Sequence, residues 1–449
     1  MSEYPNYWYA IEEPPSGTTL EDFRKALMKV LEETNYAVFL SVYSDICANC
    51  LRCAERCPVY EVSGELRDIP AYRNHIIYEI YKGLLGSKQT SLGRLLRPGN
   101  SAAKNVTVEE LAEMAYRCTN CKRCVQECPM GVNSMAINRL ARLVLAEMGI
   151  VPKNLAYSSR LEFEEGGNTS NIPLLALLDT IEFLEEDIED TFGKKVTFPR
   201  DVEGADYLFV APVSDYMMEA ETLMGIAMTL DAMGVSWTLG TKFYDAINYG
   251  LFYSDKVLLG ILKRLVDEAR RLKVPNILIG ECGHATRTIK DYFDCHPDTR
   301  EINVFSIHEL TADAVREGKL KLNPGANPEN VTLHDPCNIV RMGTQVENIR
   351  TILSACVSGK FIEMTPHGTE NYCCGGGGGT VTVEETHEFR MTIGGLRKVQ
   401  QIKAAREAGA EMLVAPCANC KKQLRELIEY HKIDIQFVGL HDLMAKALA

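Results

Sequence analysis

Sixteen cysteines stand in this chain, and thirteen of them fall into three clusters. The first, "CANCLRCAERCP", gives Cys47, Cys50, Cys53 and Cys57 followed by Pro58. The second, "CTNCKRCVQECP", gives Cys118, Cys121, Cys124 and Cys128 followed by Pro129. Each spells C-x2-C-x2-C-x3-C-P, the run that wraps a 4Fe–4S cube. Three thiolates two residues apart converge on one cube from a single loop. The fourth, displaced and followed by proline, turns towards the other cluster in two-cluster proteins. The spacing therefore predicts cross-ligation, with Cys47, Cys50, Cys53 and Cys128 on one cube and Cys118, Cys121, Cys124 and Cys57 on the other. Zinc is the competing metal, but it usually takes two C-x2-C pairs rather than a triplet plus C-P.

The third cluster contains the odder stretch, "NYCCGGGGG" at 371–379. Adjacent cysteines do not bridge each other easily, and a glycine run offers them no packed neighbours. With Cys337, Cys417 and Cys420 they spell C-x35-CC-x42-C-x2-C, the doubled cysteine running straight into Gly375. A phosphate loop is one alternative, but no Lys–Ser/Thr follows the glycines; a flexible linker is another. Cys282, Cys295 and Cys356 stand apart. Of these, Cys295 and Cys356 are expected to be inert, the latter on an apolar helical face.

The rest of the composition says where such chemistry takes place. The net charge of −13 leaves no electrostatic footprint for nucleic acid or anionic lipid. The opening residues, "MSEYPNYWYAIEEPPSG", lack a basic stretch followed by an apolar core, so no signal peptide is expected. No window approaches the roughly 20 apolar residues of a spanning helix. Cysteines in a chain without an export signal point to metal rather than to disulfides. The expected place is therefore the cytoplasm, at the inner face of the cell membrane only if partner subunits hold the chain there.

The elements that must position these thiols change character along the chain. "AYRNHIIYEIYKGLLGS", "TVEELAEMAYRC" and "SMAINRLARLVLAEMGI" carry apolar residues at helical spacing around the first two clusters. Residues 18–42 read as a helix leading in, its apolar stripe available for packing or for docking a partner subunit. Residues 161–200 are acidic and irregular, a linker with one or two helices. Beyond them short apolar runs alternate with helices, which is α/β punctuation. That part also repeats: "NILIGECGHATR" at 276–287 parallels "EMLVAPCANCKK" at 411–422, and "LFVAPVSDYM" at 208–217 parallels "TLHDPCNIVR" at 332–341. In this alignment Val213 stands where the second copy has Cys337, and Ala285 where it has Cys420. The first copy keeps only Cys282, and "KFYDAINYG" falls where its paired cysteines would be.

With its five-cysteine pattern the chain resembles the CCG-domain iron–sulfur family, and in architecture the catalytic subunit of membrane-type heterodisulfide reductases. The resemblance covers nearly the whole chain. It departs in the first module, which in that enzyme keeps its own five cysteines; two cubes with one intact CCG site look most like the DsrK branch, from the Dsr (dissimilatory sulfite reduction) membrane complex. It implies an α/β protein with an N-terminal all-α part. An N-terminal extension with a docking helix (1–40) would precede a helical two-cluster ferredoxin domain (41–160) and the acidic linker (161–200). A degenerate CCG module (201–310) and an intact one (328–449) would follow. It implies that Cys337, Cys373, Cys374, Cys417 and Cys420 hold a noncubane 4Fe–4S cluster beside the two cubes, with Gly375 letting backbone pass close to it. It further implies a cytochrome b-type membrane partner, other complex subunits, and a small DsrC-like sulfur carrier whose disulfide or trisulfide is reduced. The glycolate-oxidase type of subunit shares the outline and serves a flavin partner instead; heterodisulfide reductases acting on small thiols share it too. Cys282, where the lost cluster's ligand would have been, and His284 are candidate catalytic groups: the thiol for a transient mixed disulfide, the imidazole for protonating a leaving sulfur. Their other reading is a relic thiol and a satisfied turn residue.

Overall fold

The computed structural model describes residues 17–86 and 105–448. The first 16 residues of the 1–40 extension, and residues 87–104 of the ferredoxin span, lie outside them. The chain divides into two compact units: Met1–Tyr157 with Phe252–Asp255 and Gly375–Arg397, and Ser158–Leu251 with Lys256–Cys374 and Lys398–Ala449.

The first unit is helical. Its helix Leu20–Glu33 starts at a capping box, the Thr19 hydroxyl accepting from the Asp22 amide while the Asp22 carboxylate accepts from Thr19. Phe23, Leu27 and Val30, spaced at i, i+4 and i+7, bury the stripe of this helix. The same box, Thr107 with Glu110, starts Val108–Tyr116. Ser134–Glu147 runs through the middle and is buried on nearly all sides, which explains why its turns read Ile137, Leu140, Ala141, Val144. Buried arginines interrupt this apolar interior. Arg117 and Arg73 share the fully buried Asp68 carboxylate, Arg117 with Nε at 2.9 Å and a terminal nitrogen at 2.6 Å, Arg73 at 2.9 Å. Buried charges persist when paired in this way.

The segment Gly375–Arg397 belongs to this unit, so the glycine run is a packed element of it. At Gly378 the backbone has φ +69°, and a Cβ would stand 2.8 Å from the Cys118 carbonyl oxygen. The buried Arg142 guanidinium donates to the carbonyls of Ala115 (3.0 Å), Cys118 (2.8 Å) and Gly378 (2.6 Å) and lies over the Tyr116 ring. Gly375, at φ +97°, would place a Cβ 2.6 Å from the amide nitrogen of Gly395. The close approach that demands glycine here is therefore to the backbone of Gly394 and Gly395.

The second unit holds two small parallel sheets. Strands β1 (Tyr207–Val210), β2 (Trp237–Leu239), β3 (Asn276–Ile279) and β4 (Asn303–Ser306) lie in the order β2-β1-β3-β4. Strands β5 (Val331–Leu333), β6 (Met412–Val414) and β7 (Gln436–Val438) lie in the order β5-β6-β7. Every pairing is parallel. Both faces of such sheets must be covered, and the near-continuous apolar runs of β1 and β3 follow from that. Helix Ala220–Met233 packs against helix Leu440–Leu448; Gly225 permits it to lie so close that a Cβ would meet the His441 carbonyl. The acidic span 161–200 differs from a linker. Helix Leu174–Phe192 buries Leu177, Ile181, Leu184 and Ile188 on one stripe, and its acids take the opposite side.

Candidate iron–sulfur centres

The two ferredoxin motifs take one conformation twice. Asn49 and Leu51 have φ +52° and +59°, and Asn120 and Lys122 have +52° and +64°. Each alternation of left-handed with ordinary residues curls the loop so that three thiols point inward. A short helix, Arg52–Glu55 or Arg123–Gln126, then carries the third cysteine. A left-handed Leu or Lys is uncommon and costs of order 1–3 kcal/mol, which surrounding structure must sustain. One cavity is lined by Cys57 with Cys118, Cys121 and Cys124. Another is lined by Cys128 with Cys47, Cys50 and Cys53. The first three thiols of each motif thus share a cavity with the fourth thiol of the other.

Four thiols around one hollow suit a cation-rich group and little else. Burial pushes the Cys57 thiol up to about 12, with Arg73 opposing the rise. Burial, and then the thiols Cys121 and Cys118 nearby, push Cys124 up as well. Without metal such groups stay protonated; bound iron supplies the charge that makes them thiolates. The donor set therefore fits a cube at each cavity.

In the second unit, the five remaining clustered cysteines lie just beyond strand ends or on the loop ending at Cys374. Cys337 opens the short helix after β5, and Cys417 precedes helix Ala418–Tyr430 after β6, with Cys420 inside its first turn. Cys374 Sγ stands 3.6 Å from Cys420 Sγ. A hydrogen bond from Cys420 holds Cys417 down to about 7 against the opposing effect of burial, while hydrogen bonds with Cys374 and then Cys417 raise Cys420. All five are buried, none more than 7% exposed. The loop before the paired cysteines is fastened on three sides. Arg341 donates to the Thr369 carbonyl at 2.7 Å and also to that of Asn371. The Asn371 amide donates to the Asp335 carbonyl, and its oxygen accepts from the buried Lys398 ammonium at 2.7 Å. Burial lowers Lys398 to about 8, with Asp335 and then the thiols Cys374 and Cys373 working the other way. Asp335 is itself gripped by both terminal nitrogens of Arg350, at 2.9 and 3.0 Å.

Cys282 lies beside this group. The amide of Gly283 donates to Cys417 Sγ at 3.4 Å, and the amide of Ala418 donates to the Glu281 carbonyl at 2.7 Å. Cys282 Sγ accepts from the Ala285 amide, capping helix Gly283–Cys295. His284 turns elsewhere: its Nε2 meets the backbone of Asn248, at 3.2 Å to the nitrogen and 2.9 Å to the oxygen. Burial lowers its imidazole to about 4, so the ring is neutral at pH 7 and pins the loop at Asn248. Cys295 is exposed; Cys356 is buried against the Met444 sulfur.

Sequence reasoning passed over two groups, Lys398 and His334, and took Lys421, beside the last ligand, as offsetting cluster charge or simply solvated. Lys421 has no solvent exposure; it pairs with Glu281 at 3.3 Å, and Glu281 also accepts from His441 at 2.6 Å. Lys398 sits 24 residues beyond Cys374 and has no sequence signal. His334 had one, standing three residues before Cys337 at the end of an apolar strand. Its ring is buried, and a ring nitrogen lies with Cys374 Sγ and Cys420 Sγ so that all three atoms are within 4.8 Å of one another.

The comparisons with known proteins agree with this donor chemistry. Residues 43–132 match a family model described as a 4Fe–4S dicluster domain, and residues 331–425 match the CCG cysteine-rich domain. A relative from Archaeoglobus fulgidus, an "Hdr-like menaquinol oxidoreductase iron-sulfur subunit 2", is 26% identical over 95% of this chain and 83% of its own. The chain is a CCG-domain homologue of the Hdr-like iron–sulfur oxidoreductase subunits. One component of the dihydromethanophenazine:CoB–CoM heterodisulfide reductase of Methanosarcina barkeri is 24% identical over 90% of this chain and 94% of its own. An "EtfAB:quinone oxidoreductase" from Syntrophomonas wolfei is 24% identical over 83% of this chain and 52% of its own. No helix among the described residues is long and apolar enough to cross a membrane.

Proposed function

We propose that this Hdr-like subunit passes electrons from a quinol-oxidising membrane partner, through two 4Fe–4S cubes, to a noncubane 4Fe–4S centre that reduces a disulfide or trisulfide. The substrate would be borne on a small sulfur carrier of the DsrC kind. The observation that carries the reading is the third thiol group: Cys374 and Cys420 3.6 Å apart, Cys417 bonded to Cys420, and Cys282 alongside. The names of the relatives point the same way, one drawing on menaquinol and another belonging to a heterodisulfide reductase. A cytochrome b-type subunit would oxidise the quinol and hold this chain at the inner membrane face, beside other subunits of the complex.

The reaction balances as R–S–S–R′ plus two electrons and two protons giving RSH and R′SH, the electrons leaving quinol as it becomes quinone. When bound, the iron–sulfur group supplies single electrons and an iron at which sulfur can bind. The chain's own residues do the rest. Arg341, Asn371 and Lys398 hold the paired cysteines in one geometry, and burial of the thiols excludes water. Buried Lys398 and Lys421 place positive charge near a centre that gains negative charge on reduction. Cys282 is the thiol available for a mixed disulfide, and His284 positions the Asn248 loop behind it.

The test uses the full chain, prepared anaerobically, with reduced viologen as donor and a carrier peptide ending in a disulfide as acceptor. Turnover is expected, and Cys374→Ser should abolish it with both cubes still reducible. Activity that survives loss of that centre overturns the catalytic assignment. A second reading has an observation of its own, the near-complete burial of all five thiols, which suits a relay better than a substrate pocket. In that case the chain serves a flavin-bearing partner, and reduced protein would pass electrons to that partner but not to the disulfide peptide.

A further inference from the structure

His334 stands at a fixed point of the second sheet. Its amide donates to the Val414 carbonyl at 2.9 Å, directly after the paired residues Leu333 and Val414 of β5 and β6. The register of two buried strands thereby brings the imidazole beside the turn that carries Cys417 and Cys420. In the internal repeat, the matching position is the apolar Val210, the last residue of β1, so packing alone does not call for a polar ring here.

The ring is fully buried, and neither of its nitrogens has a hydrogen-bond partner among the described residues. A desolvated imidazole with nothing to bind is costly, and buried polar groups in native proteins are almost always satisfied. Two sulfur atoms stand close by. One ring nitrogen, Cys374 Sγ and Cys420 Sγ lie within 4.8 Å of one another, with the two sulfurs 3.6 Å apart. Two thiolates on one tetrahedral metal stand about 3.8 Å apart, and a thiolate and an imidazole nitrogen about 3.6 Å, from metal–sulfur and metal–nitrogen bonds of about 2.3 and 2.05 Å. The sulfurs are at that separation already, and the ring needs to approach by no more than about 1.2 Å.

We infer that His334 is a sixth protein ligand of this centre, its imidazole sharing one metal ion with Cys374 and Cys420. The inference rests on the reading of the five cysteines as a metal site. It sets this centre apart from the two cubes. An imidazole donates to iron without adding negative charge, and histidine in place of cysteine on an iron of such clusters raises the reduction potential. Electrons arriving through all-thiolate cubes would then collect at the His334 centre.

The experiment uses the full chain, expressed with nitrogen-15 histidine and isolated anaerobically, with pulsed electron paramagnetic resonance of the third centre as readout. A directly bound nitrogen couples several-fold more strongly than one reached through a hydrogen bond. The expected result is one strongly coupled histidine nitrogen, absent in His334→Gln. His334→Cys should retain the centre's metal, lose the nitrogen coupling and lower the potential. Unchanged potentials of the two cubes show that each variant has folded. A third centre at full iron content, about twelve per chain, whose spectrum ignores the label overturns the inference and leaves the iron–sulfur reading standing. Iron at about eight, with zinc in the five-cysteine site, overturns that reading instead. Zinc-edge absorption of the same sample then decides: a nitrogen in the first shell supports His334 as ligand, and sulfur alone refutes it. A site without metal overturns both.

Discussion

Asp68→Asn isolates a single charge at the heart of the first unit. The carboxylate is fully buried and accepts from Arg117 twice, from Arg73 once and from the Ser63 hydroxyl at 2.7 Å. Asparagine keeps the volume and one carbonyl oxygen, so no cavity forms, but two guanidinium groups lose their shared counter-ion. These groups are 6% (Arg73) and 2% (Arg117) exposed, too buried for water to compensate. Removing one member of a buried pair costs about 3–5 kcal/mol. Glu65, 3.5 Å from Arg117, and Glu113 nearby soften the loss, which favours the lower end, about 3 kcal/mol. With a urea dependence of about 2–3 kcal/mol per molar, the midpoint should fall by about 1–1.5 M. Anaerobic urea titration, followed by far-ultraviolet circular dichroism and by bleaching of the cluster absorbance, measures it. Midpoints are compared rather than free energies, because bound clusters break two-state behaviour. The triple variant Asp68→Leu, Arg73→Met, Arg117→Met should recover most of the loss, since an apolar replacement of a whole buried ion group is often neutral. A single variant within about 0.2 M of the parent would refute the argument, showing that the unpaired arginines find other partners without cost.

Burial opposes the charge on Asp68, but the bonds from Arg117 and Arg73 outweigh it and hold the carboxyl below its ordinary range. A depressed folded value means the stabilisation is present above the unfolded value of about 3.9 and is lost as pH falls through the folded one. The gap in midpoint between parent and Asp68→Asn should therefore hold from about pH 8 to pH 5 and narrow below about pH 4. Cys57→Ser should impair the cube of Cys118, Cys121 and Cys124, and Cys128→Ser the cube of Cys47, Cys50 and Cys53. Adding Cys118→Ser to Cys57→Ser should then remove no second cube, whereas adding Cys47→Ser should, as counted by iron content and spin quantitation. Gly378→Ala introduces a methyl group 2.8 Å from the Cys118 carbonyl at φ +69° and should cost about 2–3 kcal/mol. Gly318→Ala, at φ +66° with open space around it, isolates the backbone part at about 1 kcal/mol, so equal urea midpoints for the two would rule out the clash.

The metal chemistry was legible because ligand spacing is local. Three thiols two residues apart encode their own loop, and Asn49, Leu51, Asn120 and Lys122 adopt the same left-handed turns in both copies. Helical stripes such as Phe23, Leu27 and Val30 were legible for the same reason, as were the parallel strands of the second half with cysteines at their ends. The acidic span 161–200 reads as a linker with one or two helices; its charge is conspicuous, whereas the narrow buried stripe of Leu177, Ile181, Leu184 and Ile188 on helix Leu174–Phe192 is not.

By itself the sequence determined which atoms can bind iron and roughly how they are grouped, since those depend on residue type and short-range spacing. Only the tertiary structure decided what surrounds them. The glycine run reads as room for backbone beside a cluster, yet Gly375, Gly378 and Gly379 are glycines because backbone and side chains from Cys118, Leu155, Phe252 and Gly394–Gly395 crowd their missing Cβ atoms. Lys421 reads as a solvated cation and Lys398 carries no signal, yet both are buried, one against Glu281 and the other on Asn371. His334 reads as a strand-end polar residue, yet strand register carries it to sulfurs from residues 374 and 420. Each of these contacts joins residues tens to hundreds of positions apart, and no periodicity or spacing rule reaches that far, because packing matches surfaces and not sequence intervals.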